Sequence, residues 1–145
     1  GPIPHGLYHL VVECIIRHCD GSTLFMKRAS IKPSYPSYYE ATAGGSALFG
    51  EIAEQAILRE VREETGIELT ADQLRHHTHF VAHDDQCIFH CYWAETNWDK
   101  STIQLQADET SNYIWVPQEK LEDFLETELV IPRQKVYVDS LFLES

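Results

Sequence analysis

The stretch from Gly45 to Ile67 constrains this chain more tightly than any other. From Glu51 to Thr65 it reads as an amphipathic helix. Ile52, Ala56, Ile57 and Val61 share one stripe, Glu51 and Glu54 lie in the first turn where the helix dipole favours acids, and Gly66 is placed as the stop. Glu60, Glu63 and Glu64 stand at i, i+3 and i+4, so about 3.6 residues per turn gathers their carboxylates on one patch. Like charges so placed repel, by roughly a few tenths of a kcal/mol per exposed pair. A hard cation that prefers oxygen ligands turns that repulsion into a binding site and leaves room for water and phosphate oxygens. The plainer reading is a solvated helix face in which Arg59 pairs with Glu63 and Arg62 shields its neighbours. Three glutamates by themselves fit that reading, but the Gly44-Gly45 pair, Glu51 and Gly66 at fixed offsets do not.

Around this helix the sequence shows the short periods of strands. Tyr8 to His18 carries apolar Leu10, Val12, Cys14 and Ile16 on one face, while Glu13 and Arg17 interrupt the other, the mark of a half-buried strand. Asp20-Gly21 turns the chain into a second strand, Thr23 to Arg28, which makes a hairpin with the first. Ser30 to Tyr39, with Pro33, Pro36 and three tyrosines among serines, reads as an ordered loop of a size that often carries function. Glu40 to Ala43 reads as a short extended segment before Gly44-Gly45, where the chain turns tightly or approaches a ligand closely. Leu74 to Ala82 and Cys87 to Glu95 read as strands joined at His83-Asp84-Asp85, and Asn112 to Val116 as another. Pro117 opens a helix through Leu121, Phe124 and Leu125, and Pro132 a last one carrying Val136, Val138, Leu141 and Phe142. This irregular interleaving predicts an α/β (α+β) fold, a mixed β-sheet sandwiched between α-helices.

At 145 residues the chain is expected to form one domain, residues 1–145. No apolar run nears the roughly eighteen residues of a membrane span, so a cytoplasmic location and no membrane partner are expected. Eleven Lys and Arg against 23 Asp and Glu leave a formal charge of −12, which argues against nucleic acid as a partner. An anionic small substrate would need cations to offset that field, which favours a bound divalent metal where carboxylates converge. The start Gly1-Pro2-Ile3-Pro4-His5 has neither Met nor basic leader and reads as a trimmed terminus or tag remnant rather than a targeting signal. Cys14, Cys19, Cys87 and Cys91 contain no CxxC pair and read as reduced, mostly core thiols. Strand alternation puts His90 on the opposite face from Cys87 and Cys91, against a zinc site in the His83–Cys91 stretch.

Gly45, Glu51, Arg59, Glu60, Val61, Glu63, Glu64, Gly66 and Ile67 fit the pattern G-x5-E-x7-R-E-U-x-E-E-x-G-U, with U aliphatic, at every position. Average residue frequencies give such a match by chance in about one in ten million chains of this size. The pattern resembles the signature of the Nudix (MutT-like) hydrolases. That resemblance implies the Nudix fold, with the signature folded as loop, helix, loop. It also implies metal held by Glu60, Glu64 and the backbone carbonyl of Gly44, with Glu63 as a third acidic position and Arg59 orienting the carboxylates. The implied cofactor is Mg²⁺, with Mn²⁺ as the alternative. The implied reaction is attack of water on one phosphorus of a diphosphate, the metal neutralising oxygens and lowering the pKa of the water. Such enzymes draw the general base from the signature itself or from a later loop, where Glu109 is favoured over Asp108.

Substrate contacts are expected at Arg28, which resembles a phosphate-contacting position of MutT-type members, at Gly45 and at Tyr39. Tyr39 belongs with Tyr35, Tyr38, Phe49 and Trp93 to the aromatics that either stack on a base or fill the core. The order Lys32-Pro33, Pro36, Glu40, Thr42-Ala43-Gly44-Gly45 resembles the Nudix branch related to isopentenyl diphosphate isomerase. Such an isomerase is the first alternative, but it carries a catalytic Cys in a Thr-Asn-x-Cys context ahead of its helix, and Glu40 to Gly45 holds none. A nucleotide-binding Nudix module without catalysis is the second, and the intact Glu60, Glu63 and Glu64 weigh against it. The expected substrate is a small molecule, a nucleoside diphosphate linked to another group such as a nucleoside triphosphate or an oxidised nucleotide, taken by a monomer or a homodimer.

Overall fold

A computed structural model of the chain describes residues 9–84 and 86–144, so the readings made above for residues 1–5, Tyr8 and Asp85 lie outside the described residues. The elements are β1 (His9–His18), β2 (Thr23–Arg28), β3 (Tyr39–Glu40), β4 (Thr42–Ser46), α1 (Ala53–Thr65), β5 (Leu74–Ala82), β6 (Cys87–Thr96), β7 (Thr110–Val116), α2 (Gln118–Thr127) and α3 (Pro132–Phe142). The strands form one mixed seven-stranded sheet in the order β3-β2-β1-β6-β5, with β4 also on β1 and β7 also on β2.

Strand alternation explains the layers. Val12, Cys14 and Ile16 point to one side of β1 and join Ala56, Ile57 and Val61 of α1 in one buried cluster. Ile15, one residue out of phase, joins Phe25, Leu121, Leu125 and Val138 in a second cluster under α2 and α3. Helices therefore cover both faces, as the sequence predicts. Fully burying a side chain such as Ile57 or Val61 contributes about 1.5–3 kcal/mol. The alternation also sends Glu13 toward α3, where it pairs with Arg133.

Several local expectations change. The β1–β2 hairpin pairs only at Arg17↔Thr23, because β4 and β6 take the rest of β1. β6 runs parallel to β1 along its whole length, from His9↔Cys87 to His18↔Thr96, so β1 is a central strand and carries apolar residues on both faces. Helix α1 starts at Ala53, so Glu51 precedes it and Glu54 is the acid of its first turn. Ile52, expected on the buried stripe, is extended backbone and 60% exposed. The Gln55 side chain accepts its N–H, at 3.0 Å. Gly66 ends α1 in the left-handed region, φ 81°, as expected for a glycine stop.

Gly44 and Gly45 do not turn the chain. They lie in β4, opposite Glu13 and Val12. A Cβ on Gly44 would fall 1.9 Å from the Val12 carbonyl oxygen, so the glycine is demanded by backbone approaching backbone. Of the thiols, Cys14 and Cys91 are core as expected, whereas Cys19 is exposed and Cys87 half-buried. On the last helix Val138 is buried but Val136 faces solvent.

Candidate active site

The guanidinium of Arg59 organises the C-terminal half of α1. Its Nε and Nη2 form a fork to Glu51 at 2.9 and 3.0 Å, Nη2 also reaches the Ser46 carbonyl at 3.1 Å, and Nη1 bridges Glu60 and Glu63 at 3.0 and 3.1 Å. The hydrogen bond to Glu51 holds the Arg59 pKa above its ordinary value, and the same bond, with the Leu48 N–H, lowers that of Glu51. This explains why Glu51 sits outside the helix. It is the anchor that lets one arginine orient two carboxylates of the patch.

Glu64 is turned the other way, into the sheet. The Gly44 N–H donates to its Oε2 at 2.6 Å. Burial first, and then the adjacent Glu60 carboxylate, push the Glu64 pKa up to about 8, against the pull of that N–H. Gly45 brings β4 against the same pair, since a Cβ there would lie 2.9 Å from the Glu60 carboxyl carbon.

Beside this patch opens a cleft of about 190 Å³, lined among others by Glu13, Glu40, Gly44, Gly45, Glu64 and Arg133. A larger groove, about 410 Å³, lies between α2 and α3, far from the patch, and none of its lining residues belongs to α1. Glu60 and Glu63 flank the cleft without lining it. Glu40 is held by an ion pair with Arg28, and burial still leaves its pKa raised. Glu13, only 8% exposed at its side chain, is paired with Arg133.

The expected site residues divide accordingly. Gly44, Gly45, Arg59, Glu60, Glu63 and Glu64 come together. Arg28 reaches the cleft only through Glu40, its Nε being donated to the Ser34 carbonyl at 2.9 Å. Tyr39 packs edge-on against Phe124, 5.2 Å between ring centroids, in the cluster under α2. Glu109 lies in the segment before β7, ion-paired with Lys32 at 2.5 Å. Of the other aromatics, Trp93 packs against Phe142, Tyr35 and Tyr38 pack on each other, and Phe49 is fully exposed. Glu13, Glu40 and Arg133 were not expected. The sequence signals for them are that Glu13 interrupts the apolar run of β1 and that Glu40 belongs to the order from Lys32 to Gly45; Arg133 had none.

Among the described residues no three acidic, histidine or cysteine side chains converge as a metal cage. The fit to a cation is of another kind. Mg²⁺ takes only one or two carboxylates and keeps several waters, and Glu60 with Glu64, whose pKa the neighbouring Glu60 charge helps to raise, is such a pair. The Gly44–Gly45 backbone lies against both carboxylates.

A NUDIX-domain family model matches residues 7–139. The chain belongs to the Nudix family. An uncharacterized Nudix hydrolase of Listeria innocua, lin0387, is 38% identical to it over 120 residues, covering 81% of this chain and 68% of that protein. An isopentenyl-diphosphate Delta-isomerase of Salmonella heidelberg is 27% identical over 116 residues, 74% of this chain and 61% of that protein. The crystal structure of DR0079 from Deinococcus radiodurans superposes with a TM-score of 0.71 at 22% identity, over 97% of this chain and 88% of that one. The NUDIX domain of Shewanella oneidensis NrtR, solved as a complex with ADP ribose, gives 0.68 at 18% identity, over 97% and 92%. These likenesses confirm the Nudix α/β fold, and the family match makes the chain a Nudix hydrolase, of a family that generally uses divalent metal ions.

Proposed function

We propose that this Nudix hydrolase is a Mg²⁺-dependent pyrophosphohydrolase that cleaves the diphosphate linkage of a nucleoside diphosphate derivative. The observation that carries this reading is the Glu64 carboxylate at the cleft, held by the Gly44 N–H at 2.6 Å, with the Glu60 carboxylate beside it against Gly45. In this reading Glu60, Glu63, Glu64 and the Gly44 carbonyl hold the metal, directly or through water, and Mn²⁺ can replace Mg²⁺. The bound metal supplies a water of lowered pKa and neutralises phosphoryl oxygens. Arg59 keeps Glu60 and Glu63 in place, and Gly45 lets the substrate approach the backbone. Glu109 could take up the proton of the attacking water only after its pair with Lys32 opens, just as Glu60 and Glu63 are paired with Arg59. Arg28 acts by fixing Glu40 at the cleft wall, and Tyr39 acts through the packing of β3.

The isomerase alternative has support in the 27% identity to the Salmonella enzyme. Against it stands the Glu40–Gly45 stretch, which has no cysteine, beside a complete hydrolase signature. The test is a hydrolysis screen with Mg²⁺ or with chelator over nucleoside triphosphates, dinucleoside polyphosphates, nucleotide sugars, coenzymes and ADP-ribose. ADP-ribose is included because the NrtR domain was solved with it. At least one member is cleaved at the diphosphate only with metal present, and Glu64→Gln lowers kcat by about 100-fold or more. No turnover of any member overturns the reading, as does isomerisation of isopentenyl diphosphate with every nucleotide left intact.

A further inference from the structure

Arg133, in the first turn of α3, is held in a way that a surface arginine is not. Its Nη1 and Nη2 grip the two carboxylate oxygens of Glu13 end-on, at 2.9 and 2.7 Å, and Nη1 also donates to the Tyr137 hydroxyl at 3.2 Å. The guanidinium lies 5.5 Å from the ring centroids of both Phe89 and Tyr137. Glu13 sits on the central strand with its side chain almost wholly buried, where a carboxylate is costly unless paired. The arrangement therefore fixes the plane of the guanidinium even though Arg133 is 43% exposed at its side chain.

Three of the five N–H bonds are used in this way. Nε and the second hydrogen of Nη2 remain, and among the described residues neither has an acceptor. Nε and Nη2 form the second edge of the same planar group, a fork that matches two oxygens of one phosphoryl group. Arg133 lines the same cleft as Gly44 and Glu64. At about 190 Å³ that cleft is smaller than the roughly 300–1,000 Å³ of a site enclosing a whole ligand, a size that suits a diphosphate rather than a whole nucleotide. Glu13, Glu40 and Glu64 also line it, and Arg133 is the cation among its lining residues.

We propose that Arg133 is a substrate-binding residue whose free fork grips a phosphoryl group of the diphosphate, and that Glu13 is the positioning residue that presents it. This rests on the reading of the cleft as a diphosphate site. The experiment is calorimetric titration of the protein, with Mg²⁺ present, by methylenediphosphonate, a diphosphate that cannot be cleaved and carries no nucleoside. Arg133→Lys keeps the charge but not the fork, Arg133→Gln removes both, and Glu13→Gln loosens the guanidinium. The expected result is binding by wild type, at least tenfold weaker binding by both Arg133 variants, and a smaller loss for Glu13→Gln. Melting temperature and Mn²⁺ affinity stay near wild type in Arg133→Lys. Wild-type binding with both Arg133 variants within twofold of it overturns the proposal alone, leaving the pair as a brace between β1 and α3. If the variants lose affinity only for α,β-methylene-ADP, Arg133 reads the nucleoside and the proposal is wrong. If wild type binds neither probe, the diphosphate reading falls, and the proposal with it.

Discussion

At the scale of single residues, Glu64 carries a conflict that the proposed cation would resolve. It is buried beside Glu60 while held by the Gly44 N–H, and its pKa is pushed up to about 8 in the metal-free fold. In the unfolded chain it ionises near the ordinary value of 4.5, so between these two values the folded state holds the extra proton. The stabilisation from this group is thus fully present below about 4.5 and is lost as pH rises through about 8. In the proposed reading a divalent cation would take the place of the proton, so Mg²⁺ is expected to raise the melting temperature more at pH 8 than at pH 5. Melting curves with and without the ion check this, and an equal rise at both pH values contradicts it. Residue by residue, the acidic patch was legible because its geometry is set within one helix. Arg133 and Glu40 were not, because their partners, Glu13 and Arg28, meet them only through the sheet and the last helix.

At the scale of elements, β4 and α1 form a unit that neither builds alone. The two glycines of β4 are required by different neighbours, so they predict different failures. An alanine at Gly44 meets the backbone of β1 at 1.9 Å and parts the two strands, which should cost about 3 kcal/mol or more in urea denaturation. At Gly45 the new methyl meets only the far end of the Glu60 side chain, at 2.9 Å, and that carboxylate can swing away. Gly45→Ala should therefore lose about 1 kcal/mol or less of stability but bind Mn²⁺ distinctly more weakly. The opposite ranking of the two variants in stability would show that the approach of β4 to β1 is misread. The boundaries of α1 were the less legible part of this unit. Periodicity assigned Ile52 to the buried stripe, and nothing local revealed that Arg59 holds Glu51 ahead of the helix.

At the scale of the whole molecule, the helix-covered mixed sheet was legible from strand and helix periods, while its strand pairing was not. Sequence adjacency suggests a β1–β2 hairpin, but the two strands share one pair and then diverge, and β1 instead runs parallel to β6 far along the chain. That pairing places Glu13 on a central strand, opposite Cys91 and beneath α3, so that α1 and α3 bring Glu64 and Arg133 to one cleft. In the proposed reading, a molecule of formal charge −12 needs a cation at that patch to bind a diphosphate there. The most direct test is a Mn²⁺ titration followed by electron paramagnetic resonance on wild type, Glu60→Gln and Glu64→Gln. A saturable site in wild type, weakened at least about tenfold by either substitution while the fold melts normally, is the predicted result. Equal affinity in all three proteins would mean that the glutamates of α1 are a solvated helix face and would contradict the metal-dependent chemistry assigned to them.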